Sequence, residues 1–88
     1  MVTAIVLVNV QKDKIVETAE ALAEISGITE VYSVSGPYDL AVIVRVRTND
    51  DLADFVTHQI LQHAGITNTM TLIAFRAYSK YDLEHIFS

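Results

Sequence analysis

Two stretches of this chain, Thr3–Val10 and Asp39–Arg47, are rich in β-branched residues and read as strands that are apolar on both faces. Side chains alternate between faces along a strand. Val2, Ala4, Val6, Val8 and Val10 therefore share one face of the first stretch, while Ile5 and Leu7 lie on the other. In the second, Leu40, Val42, Val44 and Val46 lie opposite Ala41 and Ile43. Strands of this kind belong to a sheet that is covered on both sides.

Between and after them the hydrophobic period changes. Over Lys12–Ile25, the residues Ile15, Val16, Ala19, Leu22, Ala23 and Ile25 recur at spacings of three and four, the stripe of an amphipathic helix, which Ser26-Gly27 ends. Ile28–Ser35 reads as a further strand, broken by Gly36-Pro37. Thr48-Asn49-Asp50-Asp51 supplies capping oxygens and early acids to a second helix with the stripe Leu52, Phe55, Val56 and Ile60, ended by Gly65. Ile66–Ala77 is the last strand, and Asp82–Phe87 is expected to form one helical turn.

The order is β-α-β-β-α-β. A weak internal repeat supports it, since Gly27-Ile28-Thr29 and Gly65-Ile66-Thr67 occupy the same helix-to-strand junction and Ser33-Val34 matches Thr71-Leu72. The Val34–Leu40 connection is too short for a parallel crossover. The expected fold class is α+β, a ferredoxin-like four-stranded antiparallel sheet with two helices on one face.

Two helices cover only one face of such a sheet. The other face leaves apolar side chains for a partner, and a patch of that kind marks an interaction surface. The alternative cover, the Tyr78–Ser88 segment, offers only Tyr78, Tyr81, Leu83, Ile86 and Phe87. Composition points the same way: 51% of 88 residues are hydrophobic, in a chain whose small size permits only a thin core.

Other classes are disfavoured by what the chain carries. It has no cysteine, which excludes disulfides and thiol chemistry. The net charge is −5, and the six cations Lys12, Lys14, Arg45, Arg47, Arg76 and Lys80 are dispersed, a poor basis for contacting a nucleic-acid backbone. The longest apolar runs, Ala4–Val8 and Leu40–Val44, are five residues each, against the roughly 20 of a membrane-spanning helix. Met1–Ile5 has no signal-peptide character, so the chain is expected to be soluble and cytoplasmic, without membrane association.

Catalytic apparatus is not evident. His58 and His63 are five apart on the second helix and point to different faces, unlike a helical metal pair, and His85 has no chemical partner. Glu17, Glu20 and Glu24 form a solvated face, and Asp50, Asp51 and Asp54 lie at a helix start. No phosphate loop, nucleophile elbow or dinucleotide fingerprint occurs. No catalytic residue, metal ligand or cofactor is expected.

One segment exceeds the needs of a turn: Ser35-Gly36-Pro37-Tyr38-Asp39, where turn chemistry accounts for Gly36, Pro37 and Asp39 but not for Tyr38. A second is Thr69-Met70-Thr71, whose hydroxyls share one strand face.

Taken together, Val31–Leu40 and Gly65–Thr71 resemble the effector domain of the Lrp/AsnC transcriptional regulators, often called the RAM domain, over roughly residues 3–77. The Gly-x-Tyr-Asp and Thr-x-Thr elements carry the resemblance. It implies a βαββαβ subunit that dimerises sheet to sheet as a dimeric α+β barrel and often assembles further into rings. It also implies amino-acid effectors bound between dimers near the loop matched by Gly36, Tyr38 and Asp39, with strand hydroxyls matched by Thr69 and Thr71. The family's regulators carry an N-terminal helix-turn-helix that this chain lacks, so a stand-alone member is expected, with residues 1–77 as the ligand-binding domain and 78–88 as an extension. Such a module could act alone or join DNA-binding relatives in mixed oligomers. Two competing readings are a small enzyme of the dimeric α+β barrel type (an oxygenase or isomerase), using Asn9, His63 or Tyr32 in a cavity between helices and sheet, and a purely structural oligomerisation unit.

Overall fold

The computed structural model describes residues 1–78. The expected turn at Asp82–Phe87, together with Lys80 and His85, lies outside the described residues. Strand β1 (Val2–Val10) leads through a short 3-10 turn (Lys12–Lys14) into α1 (Ile15–Ala23), then β2 (Ile28–Ser33) and β3 (Leu40–Val46). Helix α2 (Asn49–Phe55) continues as one π-helical turn (Val56–Ile60) before β4 (Ile66–Ile73). The four strands pair antiparallel in the order β2-β3-β1-β4. This is the ferredoxin-like α+β fold expected from the pattern.

The elements are shorter than the hydrophobic pattern implied, each for a local reason. The first helix was expected from Lys12 but starts at Ile15, because Lys14 (φ −121°, ψ 8°) departs from helical geometry. Strand β2 stops at Ser33, after which the Val34 N–H donates to the Asp39 carbonyl and closes the hairpin. Strand β4 was expected to reach Ala77. It stops at Ile73 because its partner runs out: the Ala74 N–H, donating to Thr3 O at 2.9 Å, makes the last bond to β1.

The core sits between the helices and one sheet face. Ala4, Val6 and Val8 on β1 and Leu40, Val42 and Val44 on β3 are fully buried, closed over by Leu22, Leu52 and Ile60 from the helical layer. Leu22 and Ile60 are completely inaccessible. Burying a side chain of that size stabilises a domain by roughly 1.5–3 kcal/mol. The Thr48 hydroxyl accepts from Asp51 N at 3.0 Å, the expected N-cap of α2.

The two junction glycines of the internal repeat serve different ends. Gly27 adopts φ +102°, the left-handed turn past a helix C-terminus, and a Cβ there would lie 2.8 Å from the Phe55 ring. Gly65 is not left-handed. It is small because α1 crosses it: a Cβ would meet Thr18 Oγ1 at 3.0 Å and Lys14 Cβ at 3.1 Å.

Among the described residues, no helix lies on the opposite sheet face. Ile5, Leu7, Ala41 and Ile43 are half-buried there. Register places Leu72 beside Ile5, Met70 beside Leu7 and Tyr32 beside Ala41, and these three are 45–48% exposed.

Candidate functional site

The β2–β3 hairpin loop carries three of the five candidate residues. Gly36 adopts φ +117°, a conformation that L side chains rarely adopt. Nothing lies within 4 Å of where its Cβ would be, so backbone geometry, not close approach within the chain, is what requires glycine here. Pro37 is exposed, and Tyr38 and Asp39 are half-buried.

Asp39 is tied to β1 through both backbone and side chain. Its N–H donates to Val8 O at 3.0 Å, and its Oδ2 accepts from Val10 N at 2.9 Å. The regular β1–β3 pairing ends at Val8–Leu40, so the carboxylate takes over where the next backbone acceptor would stand. A carboxylate has about four lone-pair positions, which leaves acceptor capacity beyond this one bond.

Thr69 pairs with Val8 and Thr71 with Val6, so both hydroxyls lie on the helix side of the sheet, at its β4 edge. The helices do not reach that edge: Thr69 is half-buried, and Thr71 and Ile73 are exposed. Leu40, Val8 and Thr69 stand in one row across three adjacent strands. At a strand spacing of about 4.8 Å, Thr69 is therefore roughly 10 Å from the start of β3. The fold brings Gly36, Tyr38, Asp39 and Thr69 to one end of the sheet, sets Thr71 opposite Val6 in the middle of β1, and leaves β1 between the loop and both threonines.

The polar residues weighed for an internal cavity do not line one. Tyr32 stands on the open face, its hydroxyl donating to the Glu30 carboxylate. That hydrogen bond, with desolvation and the Glu30 charge behind it, holds the phenol above its usual 10.0. Asn9 pairs with Asn68 on the same open face, and its carbonyl accepts from the Thr67 hydroxyl at 3.3 Å. His63 is half-buried in the α2–β4 loop. Among the described residues, Thr18 is the buried polar side chain, and no group of three His, Asp or Glu could hold a metal ion.

One concavity was not anticipated from sequence. An open groove of about 440 Å³ runs between the end of β3 and α2, with Val46 and Phe55 as its apolar lining and Asp51, Asp54, His58 and Arg47 around it. The i, i+3, i+7 spacing of Asp51, Asp54 and His58 was the available signal. Charges of both signs surround this groove, and nothing in it selects a ligand class.

A four-stranded antiparallel sheet with two helices on one face and a latched hairpin loop defines a class, the small α+β domains of ferredoxin-like fold. The chain belongs to the Lrp/AsnC family, whose ligand-binding domain matches residues 3–83. It is 45% identical to TTHA0845 from Thermus thermophilus, a structure whose match covers 91% of this chain and 100% of that one with a TM-score of 0.85. It is 32% identical over 77 residues to the HTH-type transcriptional regulator FL11 of Pyrococcus horikoshii, covering 88% of this chain and 50% of the regulator. A fold of the same kind, 16% identical with a TM-score of 0.78, occurs in the transcriptional regulator NMB0573 of Neisseria meningitidis, solved as an L-Met complex, and covers 97% of this chain and 58% of that one. The chain spans about half the length of the curated relatives it matches. No helix among the described residues is long and apolar enough to cross a membrane.

Proposed function

We propose that this chain is an amino-acid-binding and oligomerising module rather than an enzyme, with its ligand held between subunits by Gly36, Tyr38 and Asp39 of one and Thr69 and Thr71 of another. The observation that carries this reading is the placement of the two half-sites. Gly36–Asp39 and Thr69 stand at the same end, roughly 10 Å apart with β1 between them, and Thr71 lies two residues further along β4. A free amino acid cannot span that distance along one subunit, whereas a second subunit set against the end or edge of the sheet brings a loop to a threonine pair. The ammonium group needs acceptors, which the remaining capacity of Asp39 and the turn carbonyls supply. The carboxylate needs donors, which turn amides and the Thr69 and Thr71 hydroxyls supply. The L-Met complex of a regulator with this fold is in keeping with such a ligand.

The helix-free face supports assembly, because Ile5, Leu7, Ile43, Met70 and Leu72 form a continuous apolar surface across three strands. A second copy, or a DNA-binding relative of the same family, is the partner that fits it. Direct contact with nucleic acid is not part of the proposal, given the net charge of −5. Residues 1–77 form the ligand-binding unit in this reading, with 78–88 as an extension.

The test is calorimetry and thermal shift with a full panel of amino acids, together with light scattering for mass. Binding of one or a few amino acids by an oligomer supports the proposal. An oligomer that binds none supports a structural assembly unit, in which Asp39 only closes the hairpin. Turnover of a co-purified small molecule would move the chain into the enzyme class.

A further inference from the structure

Strand β4 is held in register by less than the strands beside it. From Ala4 to Val10 and from Leu40 to Val44 every second residue is buried, so a shift by one position would turn a core side chain out to the open face. Among the described residues of β4 none is buried, and β1 is its one neighbour in the sheet. Register is strongly specified where a face is buried and weakly where neither face is.

The same strand carries one residue more than its ladder uses. Val10 pairs with Ile66 and Asn9 with Asn68, which leaves Thr67 as a β-bulge, its hydroxyl donating to Asn9 O at 3.3 Å. Drawing Thr67 into the ladder would pair it with Asn9, Thr69 with Leu7 and Met70 with Val6, while Val10–Ile66 stays in place. The far end has room, because β1 begins at Val2 whereas its pairing with β4 stops at Ala4–Ile73. A one-residue shift turns every side chain of the moved segment to the other face. Thr69 and Thr71 then leave the helix side for the open face, and Met70 and Leu72 go the other way. One movement dismantles the threonine half-site and strips two apolar side chains from the bare face. Asn68 would come to lie beside Val8 on the core side, a polar burial that keeps the shifted register the minor one.

We propose that β4 is a register switch: a one-residue shift, stored in the Thr67 bulge, forms the threonine half-site and completes the apolar face in one register and withdraws both in the other. The coupling rests on the amino-acid-binding and assembly reading above. A ligand that contacts Thr69 and Thr71 binds the observed register alone, and so raises the population of subunits that present Met70 and Leu72. By linkage, assembly tightens the ligand in return.

Disulfide trapping in the full chain tests it, since the chain has no cysteine of its own. Val6 stands opposite Thr71 in the observed register and would stand opposite Met70 in the shifted one. In the observed register the side chains at 6 and 70 point to opposite faces and cannot be bridged. Under mild oxidation the pair Val6→Cys, Thr71→Cys is expected to close fast. The pair Val6→Cys, Met70→Cys should close completely but about 10- to 1000-fold more slowly, as the minor register is sampled. Deleting Thr67 from the second variant removes the stored residue and should abolish closure. An amino acid that binds the wild-type chain should slow closure further, and the oxidised second variant should bind and assemble at least about tenfold more weakly than the same variant reduced. No closure at 6 and 70 overturns the switch, as does closure no faster than global unfolding read from amide exchange at Val42. Closure indifferent to a bound amino acid overturns the coupling. Calorimetry on the wild-type chain that finds no bound amino acid removes the reading beneath the coupling, and the coupling with it, while closure still decides the register.

Discussion

Asp39→Ala separates the two roles that meet at one carboxylate. The side chain accepts from Val10 N at 2.9 Å, in a half-buried position where the β1–β3 ladder has ended. Hydrogen bonds to a charged group contribute about 1.5–3 kcal/mol, and partial exposure moves this one toward the lower end. Truncation leaves the Val10 N–H without its partner and should cost about 1–2 kcal/mol. In a domain of this size that corresponds to a fall in melting temperature of roughly 4–15 °C. Asp39→Asn keeps an oxygen for Val10 and should lose about half as much, yet it removes the negative charge that an ammonium group would seek. The assay is thermal denaturation at fixed protein concentration, since oligomerisation makes the midpoint concentration-dependent, paired with calorimetry on the amino acid found to bind. The Asn variant is expected to fold nearly as well as wild type and to bind at least about tenfold more weakly. An unchanged melting temperature for Asp39→Ala would refute the latch. A fully retained affinity in Asp39→Asn would refute the ammonium site.

Three further outcomes follow from particular residues. Leu7→Asp places a carboxylate in the middle of the bare face, where it costs the isolated subunit little; light scattering should show the monomer mass, and a persisting dimer would show that another surface is used. Gly36→Ala meets no neighbour but must adopt φ +117°, so urea denaturation should register a loss of about 1–2 kcal/mol from backbone strain, and a neutral result would mean that the loop relaxes freely. Glu30→Gln replaces the charged acceptor of the Tyr32 hydroxyl by a weaker neutral one and removes the charge that disfavours the phenolate, and difference absorbance against Tyr32→Phe should show the titration midpoint moving down. The sign is set by a pKa raised in the folded state: the Tyr32–Glu30 bond is intact below the usual phenol pKa of 10.0 and is lost as pH rises through the folded value.

Much of this fold is legible in the linear order of residues, because period and punctuation are local properties. The alternation of Val2 through Val10 and of Leu40 through Val46, the three-and-four spacing from Ile15 to Ile25, and the breakers Gly27 and Gly36-Pro37 dictate strands, helices and their order. Apolar side chains on both faces of two strands also announce a surface that the chain's own helices cannot cover. The identity of the loop and threonine candidates was readable as well, through their pattern.

What pairing alone decided is where these residues stand. Strand ends depend on where a partner strand runs out, which is why β4 stops at Ile73 although Ala74 and Phe75 prolong the apolar run. Which side of the sheet Thr69 and Thr71 occupy follows from their registration against Val8 and Val6, a relation between residues some sixty positions apart. The second hydrogen-bonding duty of Asp39 toward Val10, and the steric reason for Gly65 against Thr18, likewise exist only once distant segments are packed together. Local chemistry chooses the elements, and long-range contact determines which side chains remain free to meet a ligand or another subunit.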